Sequence, residues 1–181
     1  MSQELKVKEL CLDKDVVLLV SDCAAKEIRK HAARRERNAA LAAMLLNSGP
    51  RARHASRVHA LPTMNQVELI LGFLGKPELR VEGRKGPSVS FSHALEGTWA
   101  ALCLSGASVG IDATDPGEFA GTYPFDRVFH AEELRLADAA TKGHRLESAA
   151  LLWSAKEAVV KALGCGFHLV DPFEMRIVPM G

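Results

Sequence analysis

The order of apolar and polar positions divides the chain into short strands and a few longer helices. Short runs rich in apolar and β-branched residues predict strands, at 15–21, 66–71, 89–94, 98–106, 108–116 and 168–179. Longer stretches with apolar residues at helical spacing predict helices, at about 23–47, 124–140 and 145–163. The stretch 80–88, rich in Gly and charged residues, predicts a loop. Strands that alternate with helices in this way indicate an α/β or α+β fold.

The predicted helix at 145–163 has an unusual distribution of polar residues. At about 100° per residue, Ser154, Glu157 and Lys161 fall within one narrow arc, and apolar residues border that arc on both sides. A surface helix normally has a broad polar face and a narrower apolar stripe, so this helix is inverted. The three residues form either a thin solvent-exposed strip with a Glu–Lys pair four residues apart, or one wall of a ligand cleft.

Asp112 follows the apolar run 109–111, at the point where the predicted strand leaves the core. It either caps the turn that begins near Thr114 or projects into a cleft above the sheet. If it shares a cleft with Glu157, the two carboxylates repel each other unless a cation lies between them. Mg²⁺ is suited to that position because it is commonly held by one or two carboxylates together with substrate phosphates. Neighbouring lysines would then contact the phosphate oxygens.

Two further groups of polar residues each have a structural and a functional interpretation. His93 ends a predicted strand, either as a loop residue or as a group that reaches a neighbouring cleft. The predicted first helix carries basic residues at helical spacing, namely Lys26, Lys30, Arg34 and Arg37, with Arg29 and Arg35 nearby. This basic face is either a solvated surface or a binding site for a phosphate or an acidic partner.

Composition and charge restrict the classes of function. The chain has 181 residues, of which 48% are hydrophobic, and a formal net charge of +1. The apolar content suffices for a real core, and the small net charge gives no reason to expect a nucleic acid or a membrane as partner. No apolar run of about 18 residues is present, and the first residues lack the apolar segment of a signal peptide. With four scattered cysteines and no C-x-x-C pair, these features indicate a cytoplasmic protein with reduced thiols.

Two motifs resemble those of a known enzyme family. The sequence VGIDATDP (109–116) and, further on, WSAKEAVVKALGCGF (153–167) resemble the 4′-phosphopantetheinyl transferases. That family has the pattern G-[IV]-D followed by W-[ST]-x-K-E-[AS]-x-x-K-x-x-G-x-G. Shorter supporting pieces occur in the family's order, at 75–77 (GKP), 89–97 (VSFSHALEG) and 127–134 (RVFHAEEL).

The resemblance implies a fold, a reaction and a set of partners. The implied fold is α+β and consists of two similar α/β halves that form a pseudo-dimer, here 1–107 and 108–181, with the metal motifs in the second half. The implied reaction is the Mg²⁺-dependent transfer of the 4′-phosphopantetheine arm of coenzyme A to a serine of an acyl or peptidyl carrier protein. The alternative is a reduced family member that binds coenzyme A or a carrier protein without transfer. The protein is expected to be a monomer or a homodimer, with no nucleic acid or membrane partner.

The resemblance also implies roles for individual residues around the metal. Asp112 and Glu157 would be the Mg²⁺ ligands and, together with Lys161, the catalytic residues. The family often has a second acid two residues after the aspartate, and this chain has Thr114 there. That substitution is the main reason to keep the alternative of binding without transfer.

A second set of residues is implied to hold coenzyme A. Lys156 and Lys161 would contact its phosphates, and His93 and Lys76 would hold the nucleotide end. On the first helix, Lys26 or Arg35 would be candidates for the 3′-phosphate, with the basic face of that helix as a docking surface for an acidic carrier protein.

Overall fold

One antiparallel sheet contains every strand among the described residues. A computed structural model describes residues 7–13, 16–21, 31–48, 66–94 and 97–178. The strands are β1 (Val7–Asp13), β2 (Val16–Ser21), β3 (Val67–Leu71), β4 (Pro77–Val81), β5 (Arg84–Ala94) and β6 (Gly97–Cys103). Their order across the sheet is β1-β2-β6-β5-β4-β3, and each neighbouring pair is antiparallel.

The described helices are one long helix before β3 and a group after β6. They are α1 (His31–Ser48), α2 (Phe125–Val128), α3 (Ala131–Ala140) and α4 (Arg145–Leu163), with short 3₁₀ turns at Phe73–Gly75, Pro116–Phe119 and Pro172–Glu174. Helices combined with an antiparallel sheet confirm the predicted α+β class. No helix in the described ranges is long and apolar enough to cross a membrane. The predicted similarity of two halves and their boundary after residue 107 stay predictions.

Two apolar clusters hold the helices in place, one between α1 and the sheet and one among the helices after β6. In the first, α1 packs on one face of the sheet, where its Leu41 and Leu45 meet Val89 of β5 and Leu102 of β6. The second cluster is helical and aromatic, and its buried members are Phe119, Phe129, Leu134, Ala137, Ala149, Ala150 and Leu152. The second cluster holds α4, which carries the polar stripe, against the preceding short helices.

The sequence pattern predicted the helix α4 well because its end has a clear chemical signal. The bounds match the predicted 145–163, and Gly164 follows with a φ of 78°. The N–H groups of Gly164 and Cys165 donate to the carbonyls of Lys161 and Val160, which is the Schellman arrangement at a helix C-terminus. The strands predicted at 15–21, 66–71, 89–94 and 98–106 are also confirmed, as β2, β3, part of β5 and β6.

Two other predictions are wrong for local reasons. The stretch 80–88, predicted as a loop, is the β4–β5 hairpin, because its turn takes only Glu82 and Gly83. Both have positive φ (51° and 74°), as a tight type I′ hairpin turn requires. The helix predicted at 124–140 is broken into α2 and α3, because Phe129 and His130 are extended.

The strands predicted at 108–116 and 168–179 are absent from the described residues. In the second, Asp171 accepts a hydrogen bond from the N–H of Phe173 and starts the 3₁₀ turn at Pro172–Glu174 instead. The first is an extended segment, 107–115, that joins no backbone ladder. The partners of this segment are instead side chains on β5, and these contacts position Asp112 in the candidate site.

Candidate active site

Three serines on one face of β5 hold the extended segment that carries Asp112. Ser88, Ser90 and Ser92 alternate along the strand, and we call them the serine ladder. Their hydroxyl oxygens accept hydrogen bonds from the backbone N–H groups of Val109, Ile111 and Ala113, each at 3.1 Å. Because both chains have the period of two that extended backbone imposes, the contacts stay in register. The segment therefore lies across the face of β5 rather than beside its edge.

A glycine lets this segment approach the helix α4 closely. A Cβ atom on Gly110 would overlap the backbone carbonyl oxygen of Ala158 and crowd the backbone nitrogen of Ala162. Only glycine allows backbone-to-backbone contact at this distance. The close approach brings Asp112, two residues later, against the polar stripe of α4.

The Asp112 carboxylate is buried and is held by donors from three directions. Its side chain is 9% exposed. Oδ1 pairs with the Lys161 ammonium at 2.6 Å and accepts from the Ser92 hydroxyl at 2.8 Å, and Oδ2 accepts from Thr114 at 2.8 Å. Burial by itself raises the pKa of Asp112, but the hydrogen bonds and the charge of Lys161 outweigh it and hold the pKa below its usual range. Asp112 is therefore a fixed anion.

Glu157 is the second carboxylate of this group, and its environment differs from that of Asp112. Burial raises the pKa of Glu157, the positive charge of Lys161 opposes this, and the negative charge of Asp112 adds to it, with a net increase. The two acids are thus near enough for one to affect the ionisation of the other. Among the described residues no donor binds the Glu157 carboxylate, so its oxygens remain available to a ligand.

The remaining member of the polar stripe is linked to the same group. Ser154 donates to the Thr114 hydroxyl at 3.0 Å, and Thr114 in turn donates to Asp112. The apolar residues Leu151, Val159 and Leu163 are instead 51%, 42% and 69% exposed. The three stripe residues are half-buried, and two of them bond to the Asp112 segment, while part of the apolar side faces solvent. This favours the interpretation of the stripe as one wall of a cleft.

A cavity of about 490 Å³ opens next to this group. β4 begins at Pro77 and pairs with β5 only as far as Ser88, so the rest of β5 runs past its neighbour and lines the cavity. Three of the predicted ligand-binding residues lie on its wall, namely Lys76, His93 and Lys161. Most of the other lining residues are apolar, and they come from β3, the Phe73–Gly75 turn and β5.

Lys76 and His93 are anchored to the helices on either side of this cavity. The Lys76 ammonium donates to the carbonyl of Ala162 at 2.7 Å, at the C-terminal end of α4, where a positive charge is favoured. His93 Nε2 lies 3.3 Å from Asn38 Oδ1 on α1. Lys76, which keeps two further N–H donors, and His93 thus line one pocket and are anchored to different helices.

Comparison with known protein families gives a match for the segment that contains Asp112 and α4. Residues 108–180 match the model of the 4′-phosphopantetheinyl transferase superfamily. The match covers 73 of the 181 residues and supports membership of the chain in this superfamily. A search of curated proteins found no match to the chain. The family is one of transferases that use coenzyme A to modify carrier proteins. The matched segment includes Asp112, the polar stripe and the cavity-lining residues at the end of α4, namely Lys161, Gly164 and Cys165.

One residue of the transferase motif does not lie where the resemblance implied. Lys156 is fully buried, on a different side of α4 from Glu157. Its ammonium donates to Glu133 Oε2 (3.1 Å) and to the carbonyls of Val128 (2.9 Å) and Pro172 (2.8 Å). All three of its N–H donors are used, so none is left for a coenzyme A phosphate. The expected phosphate contact is corrected to a structural ion pair between α3 and α4.

Glu133 completes this buried ion pair. Burial raises the pKa of Glu133, but the backbone N–H groups of Ile177 and His130 and the Lys156 ammonium lower it more. Its two oxygens thus bind α3, α4 and the segment after Pro172–Glu174 together. The pair is fully hydrogen-bonded, as a buried charge must be.

The other expected residues lie partly outside the described ranges. Lys26 is outside them, and Arg35 lies in α1 with a side chain that is not described. The described part of the chain contains no group of three or more His, Cys, Asp and Glu that could hold a metal ion by itself. The site accordingly offers two carboxylates and hydroxyl groups rather than a closed set of protein ligands.

Sequence reasoning missed the two features that build the site. The serine ladder is visible as the alternation Ser88-x-Ser90-x-Ser92, but serines on a strand are ordinarily read as its solvent face. The close approach of Gly110 to Ala158 had a signal only in the small residues at both positions.

Proposed function

We propose that the chain is a Mg²⁺-dependent 4′-phosphopantetheinyl transferase that modifies a serine of an acyl or peptidyl carrier protein. The observation that carries this proposal is that Lys161 pairs with Asp112 and lines a cavity together with Lys76 and His93, while the charges of both Lys161 and Asp112 act on Glu157. Membership in the superfamily supports the reaction class. The acceptor class is what the resemblance to the superfamily implies, and the metal is our inference from the donor set of the site.

The donor set fits Mg²⁺. In proteins, Mg²⁺ keeps several waters and is held by one or two carboxylates plus substrate phosphates, so a third protein carboxylate is not needed. Burial is the main cause of the raised pKa of Glu157, and the negative charge of Asp112 adds to it. A divalent cation would relieve this part of the repulsion. When bound, the ion would neutralise negative charge on the pyrophosphate of coenzyme A.

The residues of the cavity suit the nucleotide end of coenzyme A. Its volume of about 490 Å³ and its mainly apolar wall are typical of small-molecule sites, which have few but well-placed polar groups. The apolar wall suits the adenine ring, and Lys76 and His93 suit the phosphates of the nucleotide end. Lys161, at the boundary between the cavity and Asp112, is placed for the pyrophosphate oxygens.

The reaction that follows needs positioning and charge neutralisation more than covalent help from the protein. The carrier serine oxygen forms a bond to the β-phosphorus of coenzyme A, and the bond from that phosphorus to the oxygen of 3′,5′-ADP breaks. Glu157 accepts the proton of the serine hydroxyl, directly or through a water. Lys161 and Lys76 neutralise the leaving 3′,5′-ADP.

The test is transfer itself. The protein is incubated with coenzyme A, Mg²⁺ and a panel of apo carrier proteins, and each carrier is weighed by mass spectrometry. A gain of one phosphopantetheine arm is expected with the wild type. Glu157→Gln is expected to lose it, and Glu147→Gln, which changes an exposed glutamate of the same helix, is expected to keep it. A folded wild-type protein that modifies none of the carriers would contradict the proposal.

One observation favours the second candidate, which binds coenzyme A without transfer. Thr114 stands at the position of the family's second acid, and its hydroxyl bridges Ser154 and Asp112. Calorimetry separates the two functions. Coenzyme A affinity that is the same with and without Mg²⁺, in a protein inactive on every carrier, would favour binding alone. The pseudo-dimer, the oligomeric state and the cytoplasmic location stay predictions.

A further inference from the structure

We propose that Ser92 is a positioning residue for Asp112, an inference that rests on the proposed function. Ser92 is 4% exposed. Its hydroxyl oxygen accepts the N–H of Ala113 at 3.1 Å, and its O–H donates to Asp112 Oδ1 at 2.8 Å, with a longer approach of 3.5 Å to the carbonyl of Ala113. The side chain thus joins the rigid strand β5 to a carboxylate of the candidate active site.

Among the three members of the serine ladder, Ser92 alone donates a described hydrogen bond to Asp112. Ser88 and Ser90 lie on the same face of β5, and each accepts one backbone N–H from the same segment. Among the described contacts, the hydroxyl proton of neither reaches a carboxylate. Support of the segment needs only the acceptor function that all three share. The donor function toward Asp112 belongs to Ser92.

The three donors to Asp112 differ in how firmly they are fixed. Lys161 lies on a flexible four-carbon stem and is 30% exposed, so it is able to move from Asp112 to a phosphate when a ligand enters. Thr114 belongs to the same segment as Asp112 and moves with it. Ser92 is the donor that is buried and anchored in the sheet. It keeps the carboxylate oriented while Lys161 serves the substrate.

The experiment compares Ser92→Ala with Ser88→Ala as a matched control, because Ser88 does not line the cavity. Both remove one ladder hydrogen bond, and only the first removes the donor to Asp112. In the carrier-protein assay, Ser92→Ala is expected to lower kcat by about 10- to 100-fold, because a small displacement of a catalytic group has that effect. The Mg²⁺ concentration for half-maximal rate should rise, and the KM for the carrier protein should stay unchanged. Ser88→Ala should resemble the wild type in all three, and Ser92→Thr, which keeps the hydroxyl, should restore kcat.

A second measurement does not depend on turnover. Binding of Mn²⁺ to the complex with coenzyme A is measured by calorimetry for the wild type and both variants. We expect weaker binding, by about tenfold, for Ser92→Ala alone, since second contacts to a metal ligand typically have that effect on affinity. Thermal unfolding of each variant checks that the fold is intact. If Ser92→Ala does not fold, Ser92→Cys, which keeps a weak donor of similar size, takes its place. It should show a smaller fall in kcat and a smaller loss of Mn²⁺ affinity.

The outcomes separate this inference from the proposed function. Equal kcat and equal Mn²⁺ affinity for Ser92→Ala and Ser88→Ala overturn the positioning role. An inactive wild type whose Mn²⁺ affinity falls in Ser92→Ala alone overturns the transferase proposal and supports the role of Ser92. A fall of kcat in both alanine variants to the same extent assigns Ser92 to support of the segment and overturns the inference.

Discussion

Lys161 and Asp112 form an ion pair between the helix α4 and the segment held by the serine ladder, with 2.6 Å between Nζ and Oδ1. The pair is the point where the two motifs of the transferase segment meet. Lys161 also lines the cavity, and its charge opposes the increase in the pKa of Glu157 that burial causes. One side chain therefore connects the first carboxylate, the second carboxylate and the candidate binding site for coenzyme A.

Removal of this cation should impair transfer strongly. Lys161→Met is expected to lower kcat/KM for coenzyme A by about 100-fold or more, the typical effect of losing a charge-stabilising donor in an active site. Lys85→Met, which changes an exposed lysine at the start of β5, is the matched control and should be neutral. Steady-state kinetics with one carrier protein measures both. Similar values for the two variants would refute the role of Lys161.

The buried pair of Lys156 and Glu133 should matter for stability rather than for binding of coenzyme A. Lys156→Met leaves the Glu133 charge buried without its partner, which typically costs about 3–5 kcal/mol of unfolding free energy. Because an apolar pair often replaces a buried ion pair at little cost, the double variant Lys156→Met with Glu133→Leu should recover part of the loss. Urea unfolding measures these values. If Lys156→Met kept its stability and lost binding of coenzyme A, the result would contradict the structural role. It would support the phosphate contact that the resemblance implied for Lys156.

The lowered pKa of Glu133 predicts a specific dependence of stability on pH. A carboxyl group with a folded-state pKa below its unfolded value stabilises the protein above the unfolded pKa, and this stabilisation is lost as the pH falls through the folded pKa. The window therefore begins near 4.5, the ordinary value for this group, and extends below it. Urea midpoints across this range should fall more steeply for the wild type than for Glu133→Gln. Parallel curves for the two proteins would contradict the assignment.

Gly110 should be intolerant of a side chain. In Gly110→Ala the new Cβ would overlap the carbonyl oxygen of Ala158, which is backbone and has little freedom to move. Overpacking of this kind costs about 1–3 kcal/mol, and it should also push Asp112 away from α4 and lower kcat. Gly117→Ala, where the nearest atom is the flexible carboxylate of Asp115, is the control and should have a small effect on both. Thermal unfolding and the transfer assay test this, and a fully stable and active Gly110→Ala would show that the close approach is dispensable.

The sequence was sufficient to predict the elements whose signals are local. The helix α4 has regular apolar spacing and a glycine stop, so both its bounds and its polar stripe were predicted. The pairing of the Asp112 segment with the stripe came from the resemblance of two separated motifs, and the mutual effect of Asp112 and Glu157 on ionisation agrees with it.

The rest depended on contacts between distant positions. Extended backbone has the same period of two whether its partner is another backbone or a row of serine hydroxyls, so 108–116 looked like a strand. The burial of Lys156 depends on Glu133, which lies on another helix, and no pattern within α4 indicates that partner. The exposure of Leu151 and Leu163 likewise follows from which side of α4 packs, and helical periodicity does not determine this.

The most direct test of the central claim is the mass of an apo carrier protein after incubation with coenzyme A, Mg²⁺ and either Asp112→Asn or its neighbour variant Asp115→Asn. Asp115 only caps a 3₁₀ turn through its contact with the N–H of Gly117, and asparagine retains that acceptor. The account predicts a gain of one phosphopantetheine arm with the wild type and with Asp115→Asn, and none with Asp112→Asn. Full modification by Asp112→Asn would contradict it.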